Sequence, residues 1–304
     1  MSARGSMPCS TRSCRPYRGE IPDRGCANAA IARPRFASME AVPRSGYNGR
    51  MKVLSLQSGS NGNCIYVEAR GVRLLIDAGI SGIEAESRLA RHGCDAKKVD
   101  GLLISHDHAD HARNLGIYHR RFGVPVFMTA ATHEASQRFR PGRLGDLRSF
   151  TAGESIRIGT VVIETIRTPH DGADGVVFVI DDGRHRMGIL TDLGHVFADL
   201  ATIVASLDGV FIESNYDPAR LERGSYPDWL KQRIRGPGGH LSNDESAELL
   251  RSSASNRLRW ACLGHLSQDN NSATLALRAH RKRLGDGVRL MVASRHEASE
   301  VLEL

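Results

Sequence analysis

The segment Ser105-His106-Asp107-His108-Ala109-Asp110-His111 places three imidazoles beside two carboxylates in seven residues. It follows the apolar run 101–104, which reads as a buried strand. If the backbone stays extended past that strand, His106 and His108 point to the same side, because side chains repeat every two residues. Asp110 and His111, in the turn that follows, can then face a second ion. Imidazole together with carboxylate suits Zn²⁺, Mn²⁺ or Fe²⁺. A helix cap would need one Asp or Ser and leaves the three histidines unexplained.

Other residues with metal chemistry stand just beyond runs that read as strands. Asp77 closes the run 72–76, and His170, in Thr168-Pro169-His170-Asp171, follows 161–167. Asp192, in Leu190-Thr191-Asp192, ends 186–191, and His265, in Leu263-Gly264-His265-Leu266-Ser267, follows 258–263. Alone, His170 or His265 would read as an ordinary loop histidine. Side chains collected at strand ends on one edge of a sheet can converge, however distant in sequence.

The HxHxDH pattern, with Asp77, His170, Asp192 and His265 in that order, resembles the signature of the metallo-β-lactamase superfamily. The resemblance implies a four-layer αββα sandwich with two divalent ions, Zn or Mn. His106, His108 and His170 would hold one ion, and Asp110, His111 and His265 the other. Asp192 would bridge them, and Asp77 would brace the ligand loop. A water bridging ions ~3.5 to 4 Å apart is acidified towards neutrality and can attack phosphorus in line. His at 111, rather than Arg, is similar to the phosphodiesterase and glyoxalase II branches. No export signal of the kind a lactamase usually carries is visible.

Four further segments, Ser58-Gly59-Ser60-Asn61-Gly62-Asn63, Glu213-Ser214-Asn215-Tyr216-Asp217, Gly239-His240-Leu241-Ser242-Asn243 and 263–267, closely resemble the WalJ/YycJ (VicX) family. The likeness covers nearly all of 51–304, and nothing resembling a β-CASP domain follows Asp192. It implies a double-stranded DNA exonuclease acting from the 5′ end, with DNA, and RNA as a further candidate, for its substrate. Asp192, His240 and Asp110 would be catalytic, and Ser60, Asn61, Asn215, Ser242 and Asn243 would contact substrate. One departure is His195, where relatives are expected to carry an aromatic residue; it reads as structural. Two rivals are a glyoxalase II-like thioesterase and a non-catalytic partner of a two-component signalling system.

His240 has no place in the metal set. It follows Arg233, Arg235 and the flexible stretch 236–239, and it precedes a helix expected at 243–253 whose N-terminus could face an anion. The position resembles the His-Ser-Thr segment of ribonuclease Z, whose histidine assists departure of the leaving oxygen. For Ser242 and Asn243, a plain N-cap is the alternative. The loop 58–63 either cradles a phosphate with backbone amides or simply turns a hairpin. Arg278, Arg281, Lys282 and Arg283 either touch a DNA backbone or form a solvated helix face, the second being the plainer reading.

These residues need a frame. Strands are expected at 52–56, 64–68, 72–77, 101–105, 124–128, 155–158, 161–167, 175–181, 186–191, 209–213, 258–263 and 288–294. Helices are expected at 84–91, 114–122, 131–139, 196–206, 227–235, 243–253 and 272–284. Many strands early and alternating helices later favour two sheets covered by helices.

The net charge of +7 dissolves when divided along the chain. Of the 41 basic side chains, nine, all Arg, lie in 1–50, against three of the 34 acidic ones, which leaves 32 and 31 beyond. Bulk charge is therefore no argument for a polyanionic partner. The six cysteines show no CxxC spacing, and no apolar run approaches a membrane span, which points to a reducing, cytoplasmic setting. Residues 1–50, rich in Arg, Ser, Pro and Gly, read as a disordered leader, with translation starting at Met51. On this reading a chain beginning at Met51 keeps the activity and melting temperature of the full chain; a Tm lower by several degrees would place the boundary elsewhere.

Overall fold

The computed structural model describes residues 49–304. The expectation for the leader concerns residues that, up to position 48, lie outside those described. The first sheet opens with three antiparallel strands, β1 (Lys52–Gln57), β2 (Cys64–Ala69) and β3 (Val72–Ile76). It continues in parallel through β4 (Gly101–Leu103), β5 (Val126–Thr129) and β6 (Leu147–Phe150). The second sheet repeats the plan. Its strands β7 (Ser155–Ile158), β8 (Val161–Arg167), β9 (Val176–Asp181) and β10 (Arg186–Leu190) are antiparallel. Then β11 (Gly209–Glu213), β12 (Trp260–Gly264) and β13 (Arg289–Val292) run parallel to β10. The two-residue β14 (Leu302–Glu303) returns to pair with β1.

Helices α1 (Gly82–Arg91), α2 (Ala109–Ala112), α3 (Leu115–Phe122) and α4 (Ala130–Ser136) belong to the first half. In the second half lie α5 (Leu200–Ala205), α6 (Pro218–Arg223), α7 (Asp228–Arg235), α8 (Asn243–Ser253) and α9 (Ala273–Leu284). The layering follows from strands that are apolar on both faces. In β3, Leu74 and Ile76 join the central core between the sheets, while Leu75 joins an outer core with Leu89, Tyr118 and Phe122. In β9, Phe178 points into the central core, and Val177 and Val179 pack outward with Leu200, Leu250 and Ala276. Three apolar layers between four structural ones make the αββα sandwich that the sequence led us to expect. Among the described residues no helix is long and apolar enough to cross a membrane.

Several expectations need correction. The helix expected from 196 starts only at Leu200. The strand β6 escaped notice because it is a half-exposed edge with little apolar alternation. Helix α6 did carry a signal, an N-cap Asp217 followed by Pro218 at the first turn, which was overlooked.

His280 is fully buried between α8 and α9, where its Nδ1–H donates to the Ala276 carbonyl (2.9 Å) and its Nε2 accepts from the Ser246 hydroxyl (3.2 Å). Burial pushes its pKa down to about 4. The unfolded chain therefore takes up this proton near the ordinary histidine value while the folded chain refuses it, so stability is lost as pH falls from about 6.5 towards 4. We expect urea midpoints to drop between pH 7 and 5, and His280→Gln to remove a part of that slope worth up to about 2 kcal/mol. An unchanged slope would show that the ring is free to charge in the fold.

Candidate metal centre

Six strands deliver the site from their C-terminal ends: β3 leads to Asp77, β4 to residues 105–111, β8 to His170, β10 to Asp192, β11 ends in Glu213, and β12 leads to His265. Three of these residues, Asp77, Asp192 and His265, have left-handed backbone, with φ of 65°, 58° and 55°. For residues other than glycine this costs on the order of 1 kcal/mol each and persists only where the surroundings impose it. Each turn is clamped. Asp77 N donates to Leu103 O (2.8 Å), Thr168 Oγ1 donates to the Asp192 carbonyl (2.6 Å), and His265 N donates to Ser58 Oγ (2.8 Å).

Hydrogen bonds from outside the cluster choose which ring nitrogen faces inward. Asp77 Oδ2 accepts from His111 Nδ1 (2.7 Å) and from Ser105 Oγ (3.0 Å), and the same hydroxyl accepts from His106 Nδ1 (2.9 Å). His170 Nδ1 donates to the Gly239 carbonyl (2.8 Å), and His108 Nε2 faces Asp171 Oδ1 (3.3 Å). Four nitrogens are thereby turned inward: Nε2 of His106, His111 and His170, and Nδ1 of His108. This partnering of the outer nitrogen is the usual way a protein fixes metal-ligating histidines.

The inward-facing atoms, with those of Asp110 and His265, form two groups. His106, His108 and His170 offer one set within 4.8 Å of one another, and Asp110, His111 and His265 another. A tetrahedral ion with bonds near 2.05 Å spaces its ligand atoms about 3.3 Å apart. The observed separations match: 3.2 Å from His108 Nδ1 to His170 Nε2, 3.5 Å from His111 Nε2 to Asp110 Oδ2, and 3.4 Å from His265 Nε2 to Asp110 Oδ2. Asp192 stands between the groups, with Oδ2 3.3 Å from His111 Nε2 and Oδ1 3.6 Å from His170 Nε2. His106 Nε2 and Asp192 Oδ2 are buried without a hydrogen-bond partner, which is what a cation would relieve. The donor set thus fits two divalent cations.

Electrostatics divides the two groups. Burial, reinforced by the charge on His111, holds the His106 pKa well below its ordinary value, and burial with His170 nearby lowers that of His108. Burial opposes charge on His265 too, but Asp192, Asp110 and Glu213 together raise it to about 10. His111 is likewise held well above its ordinary value, against burial, by Asp192, Asp77 and Asp110. Burial would raise the Asp110 and Asp192 carboxyls, yet the surrounding histidines keep both well below the carboxylate range. The surroundings thus favour the neutral, ligating ring at His106 and His108, and at His111 and His265 the imidazolium, whose extra proton a cation would displace.

Glu213 was quoted as part of a motif but not recognised as a site residue. It is fully buried; Oε1 accepts from His240 Nδ1 (2.7 Å) and lies 3.3 Å from His265 Nδ1. Oε2 accepts from the amides of Leu193 and Leu241, both at 3.1 Å. Burial would raise its pKa, but His240 and His265 bring it down to about 2. Asp192, Glu213, His240 and His265 are also close enough to share an ion. The 2.7 Å His240–Glu213 contact is instead an ordinary charge-assisted hydrogen bond, shorter than the spacing of ligands around a cation. The available signal was an acidic residue ending the strand Gly-Val-Phe-Ile-Glu, level with the ligands on either side.

Other expected contacts fall elsewhere. Ser60 and Asn61 turn away to Arg295, and Asn61 O accepts from Arg113. The loop instead contributes Asn63, whose Nδ2 is 3.2 Å from Asp110 Oδ2 and 2.9 Å from His111 Nε2. The amides of Ser58, Gly59, Gly62 and Asn63 all donate within the protein, as a tight turn requires. Asn215 braces the His265 carbonyl (2.8 Å). Ser242 caps α8 with Glu245, and Asn243 is buried against Ser214 and Asn271, so neither side chain is free for substrate. The capping box, with Asp244 and Glu245 in the first turn, also closes that helix end to an anion. Nor does the stretch 236–239 hang free. The carbonyls of Pro237, Gly238 and Gly239 accept in turn from His195 Nδ1, Asp171 N and His170 Nδ1.

Residues 58–234 match the model of the metallo-beta-lactamase superfamily. The chain belongs to that superfamily. It is 36% identical over 226 residues to exodeoxyribonuclease WalJ of Streptococcus pneumoniae, covering 73% of this chain and 83% of that protein. Against exodeoxyribonuclease YycJ of Bacillus anthracis the identity is 30% over 222 residues, 73% of this chain and 84% of the relative. These two place it with the WalJ/YycJ family. The fold is shared with the metallo-beta-lactamase fold protein YhfI of Bacillus subtilis, at TM-score 0.65 and 17% identity over 84% of this chain and all of that one.

In this metallo-beta-lactamase-fold hydrolase, metal affinity should depend on a residue that touches no metal. Asp77→Asn keeps the shape but replaces an acceptor of the His111 proton, and is expected to weaken Zn²⁺ binding 10- to 100-fold in a chelator competition. Metal uptake should also release protons near pH 7, and apparent affinity should climb with pH. Unchanged affinity in the variant would detach Asp77 from the metal centre.

Proposed function

We propose that the chain is a dinuclear metal-dependent phosphodiesterase that degrades double-stranded DNA from the 5′ end in the cytoplasm. The reading rests on the Glu213–His240 pair. Its imidazole lies beside both groups of ligands, 4.9 Å from the His170 ring and 5.1 Å from that of His265, yet its Nδ1 is committed to a carboxylate. That arrangement suits a proton donor rather than a ligand. A thiolate leaves unaided near neutral pH, whereas a sugar alkoxide must be protonated as it departs, so a thioesterase would have little use for the pair. The names of the Streptococcus pneumoniae and Bacillus anthracis relatives, both exodeoxyribonucleases, support the same choice and suggest DNA over RNA.

In this scheme His106, His108 and His170 hold one cation, Zn or Mn, Asp110, His111 and His265 the other, and Asp192 lies between. Ions so held would supply Lewis acidity to the attacking and leaving oxygens and a nucleophile at neutral pH. The remaining chemistry belongs to the chain. Glu213 keeps the Nδ1 proton of His240 in place, so the proton given to the leaving sugar oxygen comes from Nε2. Asp192, buried and ionised, faces the reacting atoms and orients the attacking water.

Digestion of 5′- and 3′-end-labelled duplexes by the metal-reconstituted protein tests the reading; a preference for S-lactoylglutathione over DNA would overturn it. The sharper test is His240→Ala. It should keep both metals yet lose about 10²- to 10⁴-fold in DNA hydrolysis, the range of a general acid. A p-nitrophenyl phosphodiester, with a good leaving group, should suffer much less. Equal losses on both substrates would make His240 a phosphate-positioning residue instead.

A further inference from the structure

Helix α7 is unusual in having no buried residue. Polar bonds hold it in place. Arg233 binds Asp171 through Nε (2.8 Å) and Nη2 (2.7 Å), Arg235 binds Glu222 (2.7 Å), and Lys231 Nζ donates to the Glu222 carbonyl (2.8 Å). The first of these ties reaches the metal centre, because the other oxygen of Asp171 faces His108 Nε2 at 3.3 Å. At that same C-terminal end the helix runs directly into 236–240, where His240 N donates to the Ile234 carbonyl (2.9 Å).

On this helix Trp229 is 67% exposed, although tryptophan is normally among the well-buried side chains. Among the described residues the other exposed large apolar side chains are aliphatic: Ile83, Ile117, Val196 and Val301. Trp229 stands four residues before Arg233, so the two share a helix face with Cβ atoms roughly 6 Å apart. The indole is thus one helical turn from the guanidinium that ties Asp171, the neighbour of a candidate metal ligand.

We infer that Trp229 is a stacking platform for a nucleobase of the strand entering the metal centre. The inference rests on the nuclease reading above and adds to it how a strand end is gripped. Chain chemistry favours this occupant. Beyond residue 50 the basic and acidic side chains nearly balance, at 32 and 31, and both arginines of α7 are ion-paired, so the grip must come from something other than bulk charge. A protein partner would need about 800 Å² per side with an apolar centre, whereas Trp229 is a single ring whose helix neighbours Asp228, Lys231 and Gln232 are polar. One ring is all that a base requires, and the stack is tolerant of sequence because every base has a flat face.

The chain holds two tryptophans, and Trp260 is only 3% exposed, so intrinsic fluorescence reports on Trp229. Titrating a 12-nucleotide phosphorothioate single strand should quench the wild type and leave Trp229→Phe, with only Trp260 remaining, nearly unquenched. In steady-state digestion of a duplex, Trp229→Ala should raise KM about 10-fold, the size of one lost base–aromatic stack, with kcat little changed. Trp229→Phe should recover most of that loss. A duplex with an abasic terminal nucleotide should bring the wild type down to the level of the Ala variant. DNA cleavage that is indifferent to Trp229 overturns the stacking and leaves the nuclease reading standing. Loss of self-association in Trp229→Ala without any change in KM overturns it in favour of a protein interface. If the metal-loaded wild type neither cleaves DNA nor is quenched by the oligonucleotide, both readings fall.

Discussion

One buried carboxylate sets the orientation of half the metal centre. Asp77 sits at the end of β3 in a left-handed conformation, and its two oxygens accept from the Ser105 amide, the Ser105 hydroxyl and His111 Nδ1. Through His111 it reaches one group of ligands, and through Ser105 and His106 it reaches the other. A buried carboxylate is costly unless its lone pairs are satisfied, so the donors and the acid hold one another in position. The loops around it are drawn equally close. A Cβ on Gly79 would come within 1.7 Å of the Asp110 carbonyl oxygen, and the Gly79 amide donates to Asn63 O while Asn63 N donates to Asp110 O. Only glycine lets these three segments meet.

The opposite side of the centre is supported differently. There the anchors are backbone carbonyls of residues 237–239 and the Arg233–Asp171 pair, which together orient His170, His195 and His108. These ties come from α7 and the segment after it, which contribute little to the core. The same short stretch steadies two candidate ligands, carries His240 and presents Trp229 to solvent. Glu213 links this stretch to the sheets by accepting from the Leu193 and Leu241 amides as well as from His240. The asymmetry of protonation follows from the same layout. His111 and His265 lie among carboxylates, which favour the charged imidazolium, while His106 and His108 are held to the neutral ring by burial and by neighbouring histidines.

The resemblance to the metallo-β-lactamase superfamily, carried by HxHxDH and by single residues that each follow an apolar run, was enough to expect His106, His108, Asp110, His111, His170, Asp192 and His265 in one set. The doubly buried strands of the αββα sandwich were legible because period-two packing on both faces leaves long apolar runs. Short and half-exposed elements such as β6 were not, because their side chains carry no burial pattern. The tertiary structure alone decided what each side chain faces. Glu213 and Asn63 became site residues, while Ser60, Asn61, Asn215, Ser242 and Asn243 became braces and caps. Hydrogen-bond partners come from segments far apart in the chain, as with Glu213 and Leu241 or Ser58 and His265, and no local spacing encodes them. A polar residue's type states what it can bind; only the fold around it states which partner has already bound it.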